Sequence, residues 1–112
     1  MIIIENNQVR EIEPYEPIDM PQEWTLNDTL PYQAMARYEM IGDEVNLIQI
    51  YVKRSERRKG LARKIFKYLE KKGKVRIRTT AEDTEIFGKF LKKMGYKRCE
   101  RENEFYVFRK TC

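Results

Sequence analysis

Val52-Lys53-Arg54-Ser55-Glu56-Arg57-Arg58-Lys59-Gly60-Leu61-Ala62 is the stretch on which the fold turns. Ahead of it, residues 45–52 are apolar and rich in β-branched side chains, which predicts a strand. Behind it, Leu61, Ala62, Ile65, Phe66 and Leu69 recur at helical spacing, with Arg63, Lys64, Lys67 and Lys71 on the other faces. The segment between is too charged for a core. A strand therefore enters a basic loop, meets Gly60, and leaves as an amphipathic helix. The first turn of a helix carries unpaired backbone N–H groups at the positive end of its dipole. Glycine there lets an anion approach the backbone. On the residues alone two readings stand: a phosphate cradle, or a solvated basic loop before an ordinary helix. Neither a Walker-type phosphate loop nor a dinucleotide-binding glycine fingerprint is present.

Upstream, Ala34, Ala36, Tyr38 and Met40 alternate with more polar neighbours, and Gly42-Asp43 separates them from the 45–52 run. That is the pattern of an antiparallel hairpin. Residues 1–5 form a short apolar run that predicts a strand. Pro14, Pro17, Pro21 and Pro31 make the interval 14–31 irregular, with one short turn near residues 23–26.

Downstream, Gly73 is expected to end the first helix. Val75, Ile77 and Thr79 alternate with Arg76 and Arg78 as a strand. Asp83 or Thr84 can cap a second helix, whose apolar stripe is Ile86, Phe87, Phe90, Leu91 and Met94. Gly95 stands where a helix-ending glycine belongs. Residues 96–101 and 105–109 close the chain as a hairpin turning at 102–104. From residue 33 onward the order is β-β-α-β-α-β-β.

Composition narrows the chemistry. The chain has 112 residues, which suits one α/β (α+β) domain: an acidic, proline-rich leading segment over 1–31 and a core over 33–109. Apolar runs fall short of the ~18 residues of a membrane span. There is no histidine, which removes Ser-His and Cys-His hydrolysis. Cys99 and Cys112 lack partners at zinc spacing and are expected as reduced thiols in a cytoplasmic protein. Residues 1–31 hold seven acids and one base, whereas the remainder holds 22 bases and 11 acids. The basic body suits an anionic partner, and the acidic leader could steer a cationic one.

The loop and its surroundings resemble motif A of the GNAT superfamily, the general N-acetyltransferases. The family pattern is Arg/Gln-x-x-Gly-x-Gly/Ala, preceded at five positions by a strand-ending residue, often Val. Arg57-Arg58-Lys59-Gly60-Leu61-Ala62 fits it, with Val52 at the required spacing. A second family feature, a helix ending in Gly with an aromatic residue opening the next strand, is matched by Phe90-Leu91-Lys92-Lys93-Met94-Gly95-Tyr96. The element order matches as well.

The resemblance implies a mainly antiparallel sheet with two main helices and an acetyl-CoA site. The pyrophosphate of coenzyme A would take N–H groups of Arg58, Lys59, Gly60, Leu61 and Ala62. Arg57, Lys59 and Arg63 would neutralise phosphate charge. The pantetheine arm would pair with the backbone of Ile50, Tyr51 and Val52, and the Val52 N–H would serve the developing oxyanion. The implied reaction is acetyl transfer to a primary amine by direct attack.

Three positions depart from the family. The Tyr commonly found four residues before the second glycine is Leu91, and the Asn often found seven residues earlier is Thr84, which would still lie at the thiol end. No single base stands out: Glu44, which with Asn46 opens the motif A strand, and Glu39 on the partner strand are the candidate carboxylates, and a water wire is an equal alternative. The short leader reduces the acceptor half. The site is then open to a large acceptor, such as a protein lysine or amino terminus, or is completed by a second subunit in a homodimer. A small amine is a further acceptor class.

Two other functions compete. One is a GNAT-fold protein that binds CoA or a protein partner without turnover, which the missing Tyr favours. The other is a basic nucleic-acid-binding module, against which the aromatics fall at buried stripe positions rather than set out for stacking.

Overall fold

The computed structural model describes residues 1–13 and 32–112. Among these residues seven strands and two α-helices follow in order: β1 (Ile2–Glu5), β2 (Gln8–Glu11), β3 (Ala34–Ile41), β4 (Glu44–Val52), α1 (Leu61–Glu70), β5 (Lys74–Thr80), α2 (Ala81–Lys93), β6 (Lys97–Glu102) and β7 (Phe105–Arg109). The strands form one sheet in the order β2-β1-β3-β4-β5-β7-β6. The β1–β2, β1–β3, β5–β7 and β6–β7 pairs are antiparallel, and β4–β5 is parallel. The expected order from residue 33 is the observed one. The irregular interval 14–31 and its turn near 23–26 lie outside the described residues.

Two compact units divide the chain: residues 1–37 with 49–68, and residues 38–48 with 69–112. In the first, Ile2, Ile3 and Ile4 pair with Ala36, Met35 and Ala34, and all six are buried. Met1, Ile3, Ile12 and Met35 form one cluster, against which Tyr32 and Tyr51 pack. Leu61, Ile65 and Phe66 are buried on α1, each contributing roughly 1.5–3 kcal/mol of transfer free energy. In the second, Val45, Leu47, Val75, Ile77, Leu91, Val107 and Phe108 are buried.

Four expectations need correction. Strand β2 was not foreseen. Its polar sequence hides it, but Asn6 and Asn7 at φ 52° and 62° form the turn that folds it onto β1. Gly73 does not end α1, which stops at Glu70. Gly73 is needed because a Cβ there would collide with the Asp43 carbonyl oxygen where β5 begins beside β4. Helix α2 starts at Ala81, directly from β5, so Thr84 lies inside its first turn rather than at its cap. Cys99 and Cys112 are joined in a disulfide. Their Cα atoms are 5.2 Å apart, within bridging reach, because β6 pairs with β7 and Cys112 follows β7 by three residues. The bond removes the thiol argument for a reducing compartment.

Gly95 behaves as expected. At φ 92° it ends α2, with Gly95 N–H bonded to Lys92 O and Tyr96 N–H to Leu91 O. That pair of bonds is a Schellman cap. Buried Tyr96 then donates to Glu70 Oε2 at 3.0 Å. Burial, and next that carboxylate, push its hydroxyl far above the usual tyrosine range.

Candidate functional site

The basic loop is built from the end of β4. Lys53 N–H bonds to Gln33 O at 2.9 Å, which extends the β3–β4 pairing by one residue. Peptide direction alternates along a strand, so the Val52 N–H and C=O face the opposite edge of β4. There the Val52 oxygen accepts Arg57 Nε at 3.0 Å. Between them, Glu56 N–H to Lys53 O and Arg57 N–H to Arg54 O close a single 3-10 turn over Arg54–Glu56. The Arg57 guanidinium also lies 5.8 Å from the Tyr51 ring centroid, within cation–π range. Arg57 therefore closes the loop on itself, a structural duty beyond the phosphate role implied by the resemblance.

The chain then turns sharply. Arg58 has φ 67° and Gly60 φ 78°. Gly60 O accepts the N–H of Lys64 at 3.1 Å, which makes Gly60 the N-cap of α1. A glycine cap has no side chain to occupy the first-turn N–H groups of Leu61, Ala62 and Arg63, so these remain for a ligand. A Cβ at Gly60 would meet nothing within 4 Å, so the space over the cap is open. Arg58, Lys59 and Arg63 are exposed around it, while Leu61 points into the core. Oriented N–H dipoles and cationic side chains thus meet at one corner, an arrangement whose chemistry suits an anion.

Within this basic loop sits one carboxylate. Glu56 Oε2 accepts Lys59 Nζ at 3.0 Å and Gln33 Nε2 at 3.1 Å. The Lys59 bond first, then the Gln33 bond, hold the Glu56 carboxyl below its ordinary value. Neither Gln33 nor this arrangement was legible in the sequence, because the partners lie 23 positions apart.

The first unit thus brings together Ile50, Tyr51, Val52, Arg57, Arg58, Lys59, Gly60, Leu61, Ala62 and Arg63. Glu44 and Thr84 belong to the second. Glu44 accepts Arg109 Nε at 3.0 Å, and Arg109 in turn binds Glu100. The two carboxylates, Glu44 first, raise the Arg109 guanidinium above its ordinary value. Thr84 donates to Thr80 O at 2.7 Å and accepts from Thr79 Oγ1 at 2.6 Å. Leu91 is fully buried.

Residues 29–111 match the family model described as an Acetyltransferase (GNAT) domain. No curated protein matches the chain. Among solved structures it is similar to the PaiA N-acetyltransferase from Thermoplasma acidophilum in complex with coenzyme A, at 20% identity and TM-score 0.57, covering 70% of this chain and 53% of that one. It is similar too to the ribosomal-protein-S18-alanine N-acetyltransferase from Escherichia coli, again at 20% identity, TM-score 0.57 and 70% of this chain, with 60% of that chain covered. At that identity the likeness shows the fold. The chain spans little more than half the length of these two proteins. No helix of the described residues is long and apolar enough to cross a membrane.

Proposed function

The chain belongs to the GNAT acetyltransferase family, and from that premise we propose that it binds acetyl-CoA on the 52–62 loop and passes the acetyl group to a primary amine. The observation that carries this reading is Gly60. It stands as a left-handed, side-chain-free N-cap with open space above it, between exposed Arg58 and Arg63. The pyrophosphate would be held by backbone N–H groups of residues 58–62, with Arg58 and Arg63 offsetting its charge. The pantetheine amides would pair with the outward backbone of Ile50 and Val52. The thioester supplies the activated acyl group. The amine nitrogen bonds to the acyl carbon, the C–S bond breaks, and the thiolate leaves as the amine proton passes to a base.

The chain's own share is binding and orientation more than proton transfer. The Arg109 guanidinium engages both Glu44 oxygens, so neither is left open to take a proton from an amine. Leaving-group protonation has no side chain at Leu91. A thiolate departs without an acid, since thiols ionise near pH 8.5. The acceptor classes remain a protein lysine, an amino terminus or a small amine.

Calorimetric titration with acetyl-CoA tests this reading. The wild type should bind saturably. Gly60→Glu, which places a carboxylate in the corner and a side chain at φ 78°, should weaken binding at least about tenfold. No heat from the wild type would sink the proposal. The buried Leu91 favours a second reading, a CoA binder without turnover. Incubation of acetyl-CoA with diverse amines separates the two: sustained thiol release belongs to the enzyme alone.

A further inference from the structure

The basic loop contains no buried residue in its 3-10 turn, so packing does not hold its shape. Hydrogen bonds do, and those that tie the loop to the strands beside it meet at Gln33. The Gln33 N–H bonds to Ile4 O at 2.9 Å, and its carbonyl accepts from Lys53 N–H at 2.9 Å. Its side-chain oxygen accepts the Asn7 N–H at 2.7 Å. Its amide nitrogen donates to Asn7 Oδ1 at 3.0 Å and to Glu56 Oε2 at 3.1 Å. Every hydrogen of this side-chain amide is thereby used. Lys64 Nζ adds a bond to the Asn7 carbonyl at 3.1 Å, which ties the first turn of α1 to the same point.

We infer that Gln33 is a positioning residue for the phosphate corner, clamping the Asn6-Asn7 turn to the loop through Glu56. Asn7 lies ahead of the stretch that matches the family, so the clamp uses a segment outside the matched domain. Binding by backbone N–H groups depends on their being aligned before the ligand arrives, since ordering a loose loop lowers affinity. The clamp does this with neutral amides and one carboxylate oxygen. Both bonds to Glu56 fall on the same oxygen, Oε2. A glutamine there, with its carbonyl oxygen in that place, reproduces both. The inference rests on the CoA reading for its functional meaning, but its geometry can be tested without ligand.

Amide hydrogen exchange on the ligand-free protein is the first arm. It follows the Glu56 and Arg57 N–H groups, whose bonds close the turn. Gln33→Met and Glu56→Ala should speed their exchange about tenfold, with Ile3 and Met35 amides unchanged. Glu56→Gln should leave all four as in the wild type. Wild-type exchange in Gln33→Met overturns the clamp, as does Glu56→Gln behaving like Glu56→Ala. The second arm is titration with coenzyme A. Gln33→Met and Glu56→Ala should raise Kd about tenfold, while Glu56→Gln binds at least as tightly as the wild type. A wild type that ignores coenzyme A, with exchange moving as stated, overturns the CoA reading and leaves the clamp standing. Wild-type affinity in Gln33→Met alongside faster exchange overturns the positioning role.

Discussion

Glu56 is a single carboxylate in a run that holds Lys53, Arg54, Arg57, Arg58 and Lys59. Hydrogen bonds from Lys59 and then Gln33 favour its ionised form and lower its pKa from the ordinary 4.5. A depressed carboxylate contributes its stabilisation fully above the unfolded value and loses it as pH falls through the folded one. The loop should therefore keep its clamp at neutral pH and release Lys59 only below pH 4.5. Carbon-detected NMR titration of the Glu56 carboxyl checks this. A midpoint at or above 4.5 would contradict the hydrogen-bonded geometry. The contrast with Gly60 shows what a sequence can tell at this scale. Gly60 was legible because a strand–loop–helix junction makes a local demand for a side-chain-free cap. Gln33 was not, because its role comes from Asn7 and Glu56, 26 and 23 positions away. A glutamine before a strand announces nothing about such partners.

Elements were readable where their pattern repeats. Helix α1 shows its stripe over Leu61, Ile65, Phe66 and Leu69, all buried. Strand β2 offered only Gln-Val-Arg-Glu, with Val9 half-buried, so its one clue was the Asn-Asn turn before it. The α2 start is not legible in the sequence because the strand passes into the helix without a connecting loop. Leu91 was legible in two ways at once, as stripe residue and as a departure from the family's tyrosine. Its full burial settles the first. It also accepts, through its carbonyl, the Tyr96 N–H of the helix-ending motif. Leu91→Ala should therefore destabilise the fold by about 2–5 kcal/mol through lost contacts and a residual cavity. Urea unfolding followed by circular dichroism measures this. A loss under about 1 kcal/mol would mean that the site collapses freely around the smaller side chain.

At the scale of the whole chain, charge and covalent constraint act on different parts. Acidic residues concentrate over 1–31 and basic ones beyond, which is a property of sequence and was read from it. The Cys99–Cys112 bond is not legible in the sequence, because cysteine counting alone favours reduced thiols, whereas the β6–β7 pairing brings the two together. Cys99 falls where the β6–β7 register shifts between Arg98 and Glu100, on the strand at one end of the sheet order. The bond therefore fastens the segment after β7 to an edge strand at a bulge, a place where ladder bonds are fewest. Thirteen positions separate the cysteines. Closing a loop of that size restricts the unfolded chain by up to about 3 kcal/mol, less where the hairpin already persists on unfolding. Urea unfolding with and without a dithiol reductant gives the test. Reductant should lower the wild-type midpoint. Cys112→Ser, which has no bond to lose, should unfold at that lowered midpoint under both conditions. If the wild type unfolds identically with and without reductant, the bond adds nothing to stability. The end of the sheet is then held by the β6–β7 ladder and by ion pairs such as Arg109–Glu100, Arg78–Glu102 and Lys110–Glu70.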